Sequence, residues 1–405
     1  MSQSRVTSWP FIRLYALAFL FFSANSILTV IIPLRSETLG ASNSTIGWIM
    51  GAYMLTCMFF RPLAGQIVQR YGATKVLRIL LLVNGCALLL YPLTGLMGFL
   101  AARLLQGVST AFFSMSLQIA IIDRLSDEER SQGISLYSLF TYMPGIIGPV
   151  LALAIWDRGG LNAFTVVMVV IAAGTAMFGF LTPSHADGEG DNEDVKPQPQ
   201  AGMWSSFGQL FTVPPLSLCT LLMLGASVVF GAVSVFVPLY AHQIQFGNAG
   251  VYLMIQAAVI VLARFYLRKR IPSDGYWRKS FIQTVLLLAL SAALLLSLAS
   301  ALGPVTFYPA AVLMGIAQAM LYPALTTYLT FVLPQASRNV LLGLFIASAD
   351  LGISLGGMAM GPVADLLSYS GMYGFCCILI LILLGVEKVL RRHLSVPGDK
   401  LAKMV

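Results

Sequence analysis

The sequence predicts an all-α integral membrane protein of twelve transmembrane helices in two pseudo-symmetric six-helix bundles. Three observations carry that prediction. Hydrophobic residues make up 58% of the chain and charged residues only 10%, with a mean hydropathy of +0.84. A soluble domain carries about 25% charged residues, so this chain cannot cover a water-facing surface. Apolar runs of helix-crossing length recur from end to end, which excludes a soluble domain with one anchor. Barrel strands would be about 10 residues long and alternating, whereas these runs are continuous. Finally, an acidic stretch midway divides the runs into two sets of six that echo each other.

The first set of spans is expected at 11–33, 44–66, 75–95, 97–122, 131–156 and 162–182. The run at 11–33 is longer than a signal-peptide core and has no A-x-A-like cleavage site, so it is expected to stay as the first span. The second set is expected at 209–240, 248–268, 279–301, 304–333, 339–364 and 371–390. Several of these exceed what a bilayer needs, which implies tilt or extension beyond the lipid. Between the sets, SHADGEGDNEDVKPQPQAG (Ser184 to Gly202) is acidic, carries proline and glycine and lacks large apolar residues. That composition reads as a flexible linker. The domain reading is therefore a six-helix bundle at 1–183, a cytoplasmic linker at 184–206, and a second bundle with a tail at 207–405.

The net charge of +8 invites a nucleic-acid reading, but its placement argues for a bilayer instead. With the N-terminus inside, inner segments collect Arg5, Arg70, Lys75, Arg78, Arg124, Arg130, Lys196 and the basic residues at 268–270, 278–279, 338 and 391–392. The outer loops keep only Arg35 and Arg158. That asymmetry predicts both termini in the cytoplasm of a multi-pass cell-membrane protein. Five cysteines (Cys57, Cys86, Cys219, Cys376, Cys377) lie in apolar runs without metal-ligand spacing. They read as small hydrophobes rather than disulfide partners. His185, His242 and His393 sit in or near loops, so no resident metal site and no cofactor is expected. No GxxxxGK-S/T motif points to nucleotide as a driver, and no nucleophile–base pairing suggests an enzyme.

The two halves repeat. Arg61 is followed eleven residues later by Gly72 in RPLAGQIVQRYG, and Arg264 likewise by Gly275 in RFYLRKRIPSDG. The triplet GPV closes the fifth run (Gly148, Pro149, Val150) and the eleventh (Gly361, Pro362, Val363), and Arg130 opens the fifth as Arg338 opens the eleventh. Such repeats imply a substrate site between the halves near mid-membrane, served by rocking of one half against the other.

On these motifs the chain resembles the major facilitator superfamily of transporters over essentially its whole length. The superfamily loop G-x-L-A-D-R-x-G-R-K corresponds to Gly65 through Lys75, where Gly65, Arg70 and Gly72 match and Gln69 stands at the acidic position. The fourth-span motif R-x-x-Q-G is complete in Arg103, Gln106 and Gly107. The fifth-span motif of proton-coupled drug antiporters, G-x-x-x-G-P-x-x-G-G, is matched at Gly145, Gly148 and Pro149, with Ala152 and Leu153 in place of the final glycines. More narrowly, FFSANSILTVIIPL and GWIMGAYMLTCMFFRPLAG resemble exporters of opine-type metallophores, the staphylopine group. The resemblance implies proton-coupled export of a small molecule by a monomer, with a carboxylate-rich, imidazole-bearing chelator as substrate. A multidrug efflux pump is the alternative, and a transporter-like receptor that binds without moving its ligand is a third.

Within the spans, Arg103 is a cation in hydrocarbon, which costs at least about 2.5 kcal/mol and calls for a partner. It reads as a bidentate clamp for a substrate carboxylate, as a partner in proton coupling, or as a snorkelling anchor. Asp350 is the acid deepest in an apolar run, about 18 Å from Arg338 at 1.5 Å per residue. It is a proton carrier or substrate contact on one reading, and a structural carboxylate beside Ser348 or Ser354 on the other. Asn25, Gln106, Gln118, Gln256 and Gln318 are candidates to line a polar cavity, or else interhelical hydrogen bonds. Tyr53, Tyr142, Tyr322 and Tyr328 would wall it or simply pack. Arg61 and Arg264, with Gly65, Arg70, Gly72, Arg130, Gly145, Gly148 and Pro149, are the candidates for gating and helix sliding.

Overall fold

The computed structural model describes residues 8–122, 125, 127–180, 213–272, 274–335 and 338–393, and every regular element among them is helical. Eleven of these helices are long and apolar enough to cross a membrane. One, Asp127–Phe180, has 54 residues, about 80 Å of helix against the roughly 30 Å of a hydrocarbon core. It breaks at Gly160 (φ 51, ψ −137), a conformation that the missing Cβ of glycine permits, and so supplies both the fifth and the sixth span. The expected all-α membrane fold is met. The expected runs at 131–156 and 162–182 bracket that break.

In chain order the spans are Trp9–Thr38, Asn43–Tyr71, Ala73–Leu93, Leu96–Ile122, the two parts of Asp127–Phe180, Pro214–Ile244, Ala249–Tyr266, Lys279–Ser297, Pro304–Val332, Arg338–Met358 and Met360–Leu390. The last turns at Ser368 (φ 70, ψ 170), so its opening residues prolong the eleventh span and the remainder is the twelfth. A single residue, Gly72 at φ +84, links the second and third spans. The second span starts at a capping serine, with Ser42 Oγ accepting from the Thr45 amide at 3.2 Å. The linker expected at 184–206 lies outside the described residues.

Contacts divide the chain into two units, Met1–Asp194 with Ala249–Met254 and Val195–Asn248 with Ile255–Val405. In the first unit, Phe11, Leu14 and Phe21 of the first span meet Leu77 and Leu81 of the third and Phe113 and Leu117 of the fourth. The rings of Phe21 and Phe113 stack at 3.8 Å. The fifth span presses on the first. Ser26 Oγ donates to the Pro144 carbonyl at 2.8 Å, and a Cβ at Gly148 would sit 2.4 Å from Ser26 Oγ.

In the second unit the eleventh span presses on the seventh in the same way. A Cβ at Gly352 would lie 2.4 Å from the Leu224 carbonyl oxygen, and one at Gly356 2.3 Å from that of Val228. Lipid tails are as apolar as leucine, so membrane helices associate by close backbone packing through small residues rather than by hydrophobic drive. Large apolar side chains such as Met97, Val166, Val305 and Leu366 are left exposed on the outside, where a bilayer would meet them.

Candidate functional site

The fourth span carries Arg103 into the interior of the first unit, where it is only 1% exposed. Its Nη1 donates to Asn25 Oδ1 of the first span at 3.0 Å, and its Nη2 points to the thioether of Met50 in the second at 3.3 Å. The guanidinium lies over the rings of Tyr53 and Tyr91, 5.6 and 6.0 Å from their centroids. Its buried Nε makes no hydrogen bond, and no carboxylate pairs with it among the described residues. The cation is therefore held by one amide oxygen, a weak sulfur acceptor and two aromatic faces, all neutral. Two of its donor positions, Nε and the Nη2 that faces sulfur, lie on the same side of the guanidinium fork. That side is the edge a carboxylate binds bidentately.

Neighbouring side chains fix this arrangement. Gln106, one turn along the fourth span and 3% exposed, accepts from the Tyr91 hydroxyl through Oε1. The Tyr53 hydroxyl shares a 3.0 Å hydrogen bond with Thr110. Gly107 completes the motif for a steric reason. A Cβ there would come within 2.4 Å of the Tyr53 carbonyl oxygen and 2.8 Å of Thr56 Cβ. The glycine thus lets the second and fourth spans approach closely enough for Tyr53 to lie against Arg103.

Of the residues expected to line a cavity, the structure brings Asn25, Arg103 and Gln106 into one cluster. Gln118 is on an exposed face of the fourth span, next to Tyr137. Of the expected gating residues, Gly65 has ordinary contact with Met115 at 3.9 Å. Arg70 is exposed, with its guanidinium over Tyr71 at 5.4 Å. Arg61 and Arg264 are half-buried at the ends of their spans. Gly145 is half-buried and Pro149 buried in the fifth span; lacking an N–H, the proline leaves the Gly145 carbonyl without its intrahelical donor. The side chain of Arg130 lies outside the described residues.

In the second unit Gln256 and Gln318 meet each other, Gln256 Nε2 donating to Gln318 Oε1 at 3.0 Å. Asp350 is 7% exposed in the eleventh span, where the neighbouring Ser348 hydroxyl donates to the Phe345 carbonyl at 2.6 Å. The more deeply buried acid is Glu387, which is 0% exposed. It accepts from Trp277 Nε1 at 2.9 Å and Gln283 Nε2 at 2.8 Å, and Arg391 one turn on lies 3.7 Å away. A cleft of about 270 Å³ elsewhere in this unit is lined by Tyr240, Gln243, Ser300, Ser368 and Ser370, none of them expected site residues. No group of three or more His, Cys, Asp or Glu side chains gathers to hold a metal among the described residues.

Sequence reasoning missed Met50, Tyr91, Glu387, Trp277 and Gln283. Of these, Glu387 carries a sequence signal, an acid four residues before Arg391 at the end of an apolar run, and that signal reads as a solvated boundary.

An all-helical two-unit membrane fold with an R-x-x-Q-G arginine buried among its spans defines a transporter class. The Major Facilitator Superfamily model matches residues 14–302, and the chain belongs to that superfamily. Within it, the chain is 51% identical over 394 residues to the staphylopine export protein of Staphylococcus aureus (strain Mu50), covering 97% of this chain and 99% of that one. It is 28% identical over 178 residues to multidrug resistance protein 2 of Bacillus subtilis (strain 168), covering 42% and 43%. Among solved structures it resembles an inward-facing, unoccupied bacterial homologue of the human lysosomal transporter Spinster. The TM-score is 0.79 at 14% identity, over 96% of this chain and 98% of that one. The nucleoside transporter NupG gives 0.70 at 14%, over 94% and 100%. At such identities the structures speak for the fold alone.

Proposed function

We propose that this chain exports an opine-type metallophore of the staphylopine kind across the cell membrane in exchange for inward-moving protons. It works as a monomer by alternating access, with both termini in the cytoplasm. The observation that carries the reading is the near full-length similarity to a staphylopine export protein, 51% over 97% of the chain. The Arg103 cluster supports it chemically. A carboxylate arriving side-on would fill the empty Nε and replace the Met50 thioether at Nη2, leaving Asn25 on Nη1. A carboxylate is the stronger acceptor by far, since charge-assisted hydrogen bonds are roughly twice as strong as neutral ones. A lipophilic drug offers nothing that this edge can bind.

Gln106, Gln118, Gln256 and Gln318 complete the polar pathway in this reading, and Asp350 carries the proton. Arg61, Gly65, Arg70, Gly72, Arg130, Gly145, Gly148, Pro149 and Arg264 serve the conformational change. The deciding experiment measures metallophore release from cells lacking the protein and from the same cells complemented with it. Restored release supports the proposal; protection against lipophilic drugs without metallophore release would transfer it to the multidrug class. In proteoliposomes under an imposed pH gradient, Asp350→Asn is expected to abolish proton-driven flux. Flux with an unchanged pH dependence would remove Asp350 from the coupling role.

A further inference from the structure

We infer that the end of the twelfth span, together with the loop ahead of the ninth, forms a headgroup site for an anionic phospholipid. Glu387 builds it. The bonds from Trp277 and Gln283 to its two oxygens seat residues 276–279 of the loop beside 387–391 of the helix. Those segments are more than a hundred positions apart in the chain.

The charges brought together there do not cancel. Glu387 faces Arg391, and Asp274 is held by Arg278, whose Nε donates to it at 2.9 Å. That leaves Lys279, Lys388 and Arg392, all exposed, with no acidic partner among the described residues. Lys269 and Arg270 stand exposed earlier in the same loop. Arg391 is oriented from beneath by the buried carboxylate, and its side chain is 26% exposed, so part of its fork faces the surface. An oriented guanidinium flanked by ammonium groups suits the oxygens of a phosphodiester.

The surroundings select a lipid over a soluble anion. Ile382 and Val389 on the twelfth span and Tyr276 of the loop, next to Trp277, are strongly exposed. Acyl chains would cover that apolar border while the phosphate meets the cations. Aromatic side chains at such a boundary are the usual residents of the headgroup layer, and clusters of four or more basic residues beside a span attract anionic lipid.

The test uses the purified full chain and native mass spectrometry, offering phosphatidylglycerol and phosphatidylcholine with identical acyl chains. The wild type is expected to retain phosphatidylglycerol preferentially. Lys388→Gln with Arg392→Gln changes only exposed side chains, and should cut the preference about fivefold for each charge removed. Glu387→Gln, which loosens Arg391, should also lower it; if that variant does not fold, the surface pair still decides. An undiminished preference in the surface pair would overturn the inference. So would displacement of the lipid by millimolar inorganic phosphate, since a free-anion site would then account for the cations.

Discussion

Among the described residues, the most deeply buried cation of the first unit and the most deeply buried acid of the second are treated in opposite ways. In the first, Arg103 is 1% exposed and surrounded by neutral groups, with one donor empty and another spent on sulfur. In the second, Glu387 is 0% exposed and both oxygens are filled by donors from two other segments, with a guanidinium nearby. A buried ion without its counter-ion is expensive, whereas one saturated with hydrogen bonds can hold elements in register. On the proposed function, the difference separates a charge kept available for exchange from a charge committed to architecture. What distinguishes them is unfilled hydrogen-bonding capacity, present at Arg103 and used up at Glu387.

The contrast can be broken in several ways. The largest effect is expected at Arg103→Met. Each charge-assisted hydrogen bond to substrate is worth about 1.5–3 kcal/mol, so losing two should cut metallophore export at least a hundredfold. The thermal midpoint should hold or rise, because an uncompensated charge leaves the interior. Arg103→Lys should not restore export, since an ammonium lacks the planar fork. A variant that loses stability and export together would make Arg103 structural after all.

Glu387→Ala should behave conversely. It strands the Trp277 and Gln283 donors and is expected to destabilise by about 3–5 kcal/mol, read as a drop in thermal midpoint. An unchanged midpoint would erase the distinction between the units. Gly107→Ala comes next. Its new methyl, 2.4 Å from the Tyr53 carbonyl, should cost about 1–3 kcal/mol and weaken export by shifting Tyr53 off the guanidinium.

The smallest effect belongs to the loop. The Arg278 hydrogen bond holds the exposed Asp274 carboxyl below its ordinary range. Its contribution is present above the unfolded carboxylate value and lost as pH falls through the lowered one. Asp274→Asn should therefore lower the neutral-pH midpoint slightly, with the difference from wild type closing along the acid limb of a pH–stability curve.

Much of the fold is legible in the sequence because each span must satisfy its backbone internally and be apolar for its whole length. Even the Gly160 break shows as a polar interval around Asp157 and Arg158. Arg103 is legible for the same reason, a cation where cations are costly. Tyr91 and Met50 are not. An aromatic and a thioether in an apolar run look alike whether they pack or touch a charge, and only the third dimension separates the cases. Glu387 escapes notice differently. Near the end of a span and followed by Lys388, Arg391 and Arg392, it has the pattern of a solvated boundary, while its burial depends on a tryptophan from a distant loop.

That tryptophan gives the molecule a built-in gauge. The indole of Trp277 is hydrogen-bonded to Glu387 and packed edge-on against Tyr328 at 5.1 Å, a fixed asymmetric setting of the kind that generates near-ultraviolet circular dichroism. If transport cycles the loop between seated and released forms, one aromatic band will rise and fall with it. The second unit would then announce its own state without any attached label.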